Sequence, residues 1–240
     1  MSLAVVLVEP AGPLNVGSVA RLCANFGLSQ LRLVAPRCDH LGEEARRMAV
    51  HAEAVLEQAE LFPDLRAALA DCRRVVATSG RMEEEALPLS SPRECLGWLT
   101  ATPAEHQAAL VFGREDRGLS NQELLQAGRI LRLSTSESYA SLNLSHAVGI
   151  CLHELQRDDS AAAEAPSNSN EPCERSGLEA ALGDAEDLLL EVGFLYPHTA
   201  EARMGKLRAL LQRAAIRDEE VALLRGMVRQ LRWAAQRHCP

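Results

Sequence analysis

Aromatic side chains make up only 3% of this 240-residue chain, against 47% hydrophobic residues overall. Its core must therefore be aliphatic. No unbroken apolar stretch comes near the ~18 residues a membrane-crossing helix needs. The N-terminus runs straight into a strand-like segment, without a basic region and cleavage site, so no signal peptide is expected. The seven cysteines (Cys23, Cys38, Cys72, Cys95, Cys151, Cys173, Cys239) are odd in number and form no C-x-x-C. That argues against a disulfide framework or a zinc site and for reduced thiols in a cytoplasm. Neither G-x-G-x-x-G nor G-x-x-x-x-G-K-[ST] occurs, which disfavours a nicotinamide oxidoreductase and a P-loop enzyme. No His/Cys/Asp cluster has metal-ligand spacing. His146 and His153, seven apart on one predicted helix, read as core or surface histidines.

A net charge of −8 argues against a protein that coats nucleic acid nonspecifically. The charge is unevenly spread, however. Residues 1–157 carry 15 basic and 19 acidic side chains, and residues 158–177 carry one and five. Residues 178–240 carry nine of each, but all nine bases lie at or beyond Arg203, with three acids among them.

Strand-like runs at 3–10, 30–36, 73–80, 109–113 and 129–134 alternate with helical patterns at 13–27, 43–58 and 141–155, the last with Ser141 as a plausible cap. This alternation predicts an α/β domain over 1–157 with a largely parallel sheet flanked by helices. Ligands of such a domain sit off the carboxyl ends of the strands. Residues 158–177 are small, polar and acidic, and read as a flexible linker. Residues 178–240 read as a small all-α extension with helices at 178–195, about 201–216 and 219–236. At ~100° per residue, Arg203, Lys206, Arg213 and Arg217 fall on one stripe beside Met204, Leu207, Leu211 and Ala214. Arg225, Arg229 and Arg232 form a second basic row. Each row reads either as a solvated face or as a phosphate-contacting surface.

Three loops carry chemistry. In N-x-G-x-x-x-R (15–21), Gly17 permits close approach of a backbone or a ligand, and a helix N-terminus suits an anion. Arg21 stands among core residues, so it must reach solvent, pair with an acid such as Glu9, or await an anionic partner. In F-G-R-E-D-R-G-L (112–119), two glycines bracket a charged loop that is either a plain solvent loop or a site. In Y-A-S-L-N-L-S (139–145), a cap role accounts for Ser141 more readily than for Asn143, because Asn is unfavourable inside a first helical turn.

Taken in this order, N-V-G-S-V-A-R, F-G-R-E-D-R-G-L and Y-A-S-L-N-L-S-H-A-V resemble the three motifs of the SpoU–TrmD (SPOUT) RNA 2′-O-ribose methyltransferases. L-V-E-P, T-S-G-R and the tail F-L-Y-P-H-T-A-E-A-R-M-G-K-L-R are similar to TrmJ-type tRNA methyltransferases. The resemblance implies a C-terminal deep trefoil knot in the α/β domain. It implies S-adenosylmethionine as donor, bound by Thr78, Ser79, Gly80, Gly113, Leu133, Ala140, Ser141 and Leu142. It also implies a homodimer with its active site at the subunit interface, acting on the ribose of nucleotide 32 in the tRNA anticodon loop. Arg21, Asn15, Glu115, Ser141 and Asn143 would be the catalytic and positioning set. Arg21, Arg114, Arg203, Lys206, Arg213 and Arg217 would contact RNA. The alternatives are the same reaction on another RNA, such as ribosomal RNA, and a noncatalytic RNA-binding protein on the same scaffold.

Overall fold

The computed structural model describes residues 2–80, 89–136, 138–139, 141–157 and 171–238. Its strands are β1 (Ser2–Val8), β2 (Gln30–Val34), β3 (Glu60–Phe62), β4 (Cys72–Thr78), β5 (Leu89–Ser90), β6 (Gln107–Phe112) and β7 (Arg129–Leu131). They form one sheet in the order β3-β2-β1-β6-β4-β7-β5, with every pairing parallel. The helices of this part are α1 (Pro13–Asn25), α2 (Glu43–Ala49), α3 (Glu53–Glu57), α4 (Leu65–Ala68), α5 (Pro92–Thr100), α6 (Asn121–Leu124) and α7 (Leu144–Arg157).

A parallel sheet needs cover on both faces, which is why its strands read as unbroken apolar runs. Successive side chains alternate between the two layers. Leu3, Val5 and Leu7 face α1, α2, α3, α5 and α7, whereas Ala4, Val6 and Val8 face α4 and α6. The five strands expected from sequence are present, each ending earlier than expected and three of them starting one or two residues sooner. β3 and β5 are only three and two residues long, too short to leave a periodic signal.

The single helix expected over 43–58 is two helices. Val50 takes a left-handed φ of 57° between α2 and α3 and breaks the run. The first turn of the last helix also shifts: α7 begins at Leu144, not Ser141. Gly17 permits close approach of a backbone, not a ligand. A Cβ there would lie 2.1 Å from the Ala45 carbonyl oxygen, so the glycine lets α1 cross directly over α2.

Three further helices, α8 (Arg175–Glu191), α9 (Pro197–Arg213) and α10 (Asp218–His238), close on a core of their own. That core holds Leu178, Leu182, Met204, Ile216 and Val221. The unit also packs against the sheet domain. Ala209 joins the second sheet layer, and Gln212 Nε2 donates to the Leu125 carbonyl at 2.6 Å. Glu179 accepts from both Arg66 and Arg208.

Residues 171–177, expected as the end of a flexible linker, are instead built into this junction. Glu171 and Arg74 have side chains only 7% and 4% exposed and pair through two hydrogen bonds of 2.9 and 2.7 Å. Arg74 also lies over the Trp98 ring at 5.4 Å. Pro172 accepts from Arg73, and the Ser176 N–H donates to Ala70. The acidic linker reading thus fails over this stretch because its carboxylate has a buried guanidinium to meet.

Glu171→Ala leaves the Arg74 charge buried and unpaired, and should cost about 3–5 kcal/mol. A Glu171→Leu/Arg74→Met double variant should recover most of that loss. Chemical denaturation of the three proteins, followed at the tryptophans, measures both effects.

Candidate functional site

The loops that follow β1, β4, β6 and β7 meet at the carboxyl edge of the sheet. Between the last three lies a cavity of about 550 Å³. Its walls include Thr78, Ser79, Gly80, Gly113, Leu133, Ser141 and Leu142, seven of the eight residues expected to hold the donor. Ala140, the eighth expected contact, lies outside the described residues. Phe112 and Thr135, in the same segments, also line the cavity, as do Leu119, Leu144 and Ala147, which were not anticipated. Phe112 and Leu144 have no sequence signal beyond core character, being the last residue of β6 and the first of α7.

Local bonds shape the cavity. Thr78 Oγ1 donates to the Val111 carbonyl at 3.1 Å, and the Ser79 N–H donates to the Leu131 carbonyl at 3.0 Å. The 113–118 loop closes on itself through paired Arg114 and Gly118 backbone bonds. A Cβ on Gly113 would stand 2.3 Å from the Gly118 carbonyl carbon, so only glycine allows this closure. At Gly80 a Cβ would meet nothing within 4 Å, and packing does not demand the glycine there.

A second cavity of about 740 Å³ adjoins the first and shares Glu115, Thr135, Ser141, Leu142 and Leu144 with it. Its other walls include Asn15, Ser136, Tyr139, Asn143 and His146. A relay of hydrogen bonds runs through this region. Asn143 Nδ2 donates to Asn15 Oδ1 at 3.0 Å, and Asn15 Nδ2 donates to Glu115 Oε1 at 3.1 Å. Asn143 Oδ1 accepts from the Ser145 and His146 backbone N–H groups at 2.9 and 3.3 Å. Asn143, not Ser141, therefore caps α7, in keeping with the preference of Asn for that position.

The N-terminus of α1 does hold an anion, and it is the protein's own. The Ala11 and Gly12 N–H groups donate to the two Glu115 carboxylate oxygens at 3.1 and 3.0 Å. Burial pushes the Glu115 carboxyl up. The hydrogen bonds from Ala11, Asn15 and Gly12 outweigh it and hold the group below the ordinary carboxylate range. Glu115 is thus a fixed, ionised acceptor and a poor proton carrier at neutral pH.

Arg114, expected to contact RNA, is a strut of the loop. Its guanidinium binds both Glu123 oxygens at 2.9 Å and also Glu9, with its side chain 11% exposed. Two carboxylates already satisfy that charge. Glu9 in turn receives Arg114 and Arg37, and its carboxyl is lowered to about 2, chiefly by the Arg114 hydrogen bond.

With Glu9 so engaged, it does not pair with Arg21. Arg21 is exposed on α1 and makes no hydrogen bond or ion pair among the described residues. It lines neither cavity of its own chain. In the tail, Arg203, Lys206 and Arg213 are exposed along α9. Arg217 does not continue their row, because α9 ends at Arg213 and Ala215 turns left-handed, at φ 49°. The second basic row is largely a seam: Arg225 and Arg232 both bind Asp184 of α8 at 3.0 Å.

Residues 2–153 match the SpoU rRNA methylase family, and residues 177–239 match the C-terminal domain of the tRNA methyltransferase TrmJ. The tRNA (cytidine/uridine-2′-O-)-methyltransferase TrmJ of Cronobacter sakazakii is 36% identical over 233 residues, covering 95% of this chain and 94% of that protein. The tRNA (cytidine/uridine/adenosine-2′-O-)-methyltransferase TrmJ of Pseudomonas aeruginosa is 35% identical over 243 residues, with coverages of 97% and 94%. Among solved structures, TrmJ from Z. mobilis ZM4 superposes with a TM-score of 0.85 at 31% identity, covering 96% of this chain and 99% of that one. The loops gathered at the sheet edge are thus those of a known family: the chain belongs to the SpoU rRNA methylases and carries a TrmJ-type C-terminal domain.

Proposed function

We propose that the chain transfers a methyl group from S-adenosylmethionine to the ribose 2′-oxygen of a tRNA nucleotide, at a cytidine or uridine in position 32 of the anticodon loop. The observation that carries this reading is the pair of adjoining cavities with Ser141 and Leu142 in their common wall. One cavity suits a donor and the other a sugar. The first has the size of a small-molecule site and apolar walls at Phe112, Leu119, Leu133 and Leu142. These four residues fit the sulfonium end of a donor, since apolar walls favour a step in which positive charge is lost, while Arg114, Glu115, Asp116 and Arg117 give the rest of the lining its charge. The donor, when bound, supplies the electrophilic methyl group. A knotted chain between β7 and α7, as in the SPOUT fold, would give the donor its bent seat.

The residues of the second cavity position the acceptor. Ionised Glu115 fixes Asn15, and Asn143 is fixed by its cap bonds and by Asn15. Two amides in set orientations, with Ser141 beside them in the wall, therefore face the ribose. None is a base of suitable pKa. A guanidinium such as that of Arg21 is no base either. Its part is to bind a substrate phosphate and to stabilise the oxyanion that develops as the 2′-hydroxyl loses its proton.

Because Arg21 lines neither cavity of its own chain, the reading places it in the site of a second copy. The exposed faces of α1 and α7, with Leu14 and Ile150 47% and 42% exposed, are the surfaces for that dimer. Arg203, Lys206 and Arg213 extend the RNA contact along α9. No helix among the described residues is long and apolar enough to cross a membrane, and the proposal puts the enzyme with tRNA in the cytoplasm.

The primary test is mass spectrometry of tRNA incubated with the protein and donor, which should reveal one new ribose methyl at nucleotide 32. Under saturating tRNA, Arg21→Ala should lower the single-turnover rate about 100-fold or more, the scale of losing an oxyanion donor, with donor affinity unchanged. Arg21→Lys should fall between the two. If both variants keep most of the rate, the role of Arg21 is wrong.

A triple Arg203→Gln/Lys206→Gln/Arg213→Gln variant should reduce the slope of log affinity against log salt by about 2–3, since each neutralised phosphate contributes about 0.7–0.9. Filter binding of tRNA across a salt series reads it, and an unchanged slope removes α9 from the interface.

A further inference from the structure

The wall of the second cavity ends in an aromatic ring left in solvent, in a chain with only two tyrosines. Tyr139 is 81% exposed, the most of any large hydrophobic side chain among the described residues. No ring contact involves it there. Its backbone is nonetheless pinned. The Tyr139 N–H donates to the Ser136 carbonyl at 3.1 Å in an isolated bridge, and the Ser136 and Ser138 hydroxyls bond to each other at 2.8 Å. The ring thus stands on a fixed turn, two residues before Ser141 in the wall that both cavities share.

We propose that Tyr139 is the stacking platform for the nucleobase of the nucleotide being methylated, an assignment that rests on the ribose-methylation reading above. The sugar fixes where that base must go. The carbon that bears the 2′-hydroxyl is bonded directly to the carbon that bears the base. When the hydroxyl reaches the common wall, the base has no choice but the second cavity. A base presented this way has left the stack of its loop, and an aromatic face replaces the contact it lost.

The two side-chain amides of this cavity are already taken and favour stacking over edge reading. Asn143 and Asn15 are committed to each other, to Glu115 and to the start of α7. A π-face accepts any base. Such a platform explains how one site could take both pyrimidines, as the name of the Cronobacter sakazakii relative states for that enzyme, and adenosine too, as that of the Pseudomonas aeruginosa relative does.

The experiment compares wild type, Tyr139→Ala and Tyr139→Phe on two substrates. One is full-length tRNA. The other is the same tRNA with an abasic ribose, 2′-hydroxyl intact, at the methylated nucleotide. On intact tRNA, Tyr139→Ala should raise KM about 5- to 150-fold, the range of one lost base–aromatic stack. Tyr139→Phe should stay near wild type, and donor affinity should be the same in all three. On abasic tRNA, wild type should fall to the level of Tyr139→Ala, and the substitution should cost nothing more.

An equal loss from Tyr139→Ala on both substrates overturns the stack. So does a Phe variant as poor as the Ala variant, or a loss of donor affinity. A wild-type protein that methylates neither substrate overturns instead the reading on which the stack rests.

Discussion

One carboxylate holds the site together. Glu115 occupies the N-terminus of α1, where two backbone N–H groups and a positive helix end would otherwise face solvent. Through Asn15 it also reaches Asn143 and thereby the start of α7. Three segments separated by 100 and 128 residues in sequence are joined by this one chain of bonds. The loop that presents Glu115 is braced from behind, because Arg114 grips Glu123 and Glu9. Glu9 itself sits at a left-handed φ of 45°, a conformation a non-glycine residue adopts only when its surroundings hold it there. A site built so tightly leaves Arg21 as the conspicuous loose part.

The junction with the C-terminal helices follows a similar electrostatic logic with a different purpose. Arg74 could not sit 4% exposed in β4 without a counter-ion, and Glu171 supplies it from outside the sheet domain. Arg32, also buried, finds Asp71 within the domain through two bonds of 2.7 Å. The first arrangement makes the tail part of the body. Whatever Arg203, Lys206 and Arg213 bind, they bind at a set distance from the cavities, not on a tether.

Much of the architecture could be read from sequence because buried parallel strands announce themselves. LAVVL in β1 and ALVF in β6 admit few other readings. The residues of the first cavity were legible as a cluster as well, since the motif loops fall where a parallel sheet places its ligands. What escaped notice depended on tertiary partners. Glu171 looks like linker until Arg74 is seen beneath it. Arg114 looks like an RNA contact until Glu9 and Glu123 close on it. The break at Val50 has no local cause in the helical pattern of 43–58, where nothing marks a left-handed residue. Ser141 and Asn143 are both good caps, and only the backbone decides between them.

The strand order has a consequence for how the chain assembles. β1 and β2 can pair as soon as residue 34 is made, but the other edge of β1 waits for β6, a hundred residues later. β4 waits for the same strand. During synthesis at about 5–20 residues per second, the β3-β2-β1 half-sheet and the lone β4 stand with open, apolar edges until residues 107–112 leave the ribosome, and β7 with β5 can join only after residue 131 is made. β6 is then the keystone that zips them, and in the same stroke brings Glu115 to the start of α1. A nascent chain stalled before it would be prone to stick to its neighbours; one that passes it joins the two parts of the sheet and sets Glu115 in place, before β7 and α7 add the remaining walls.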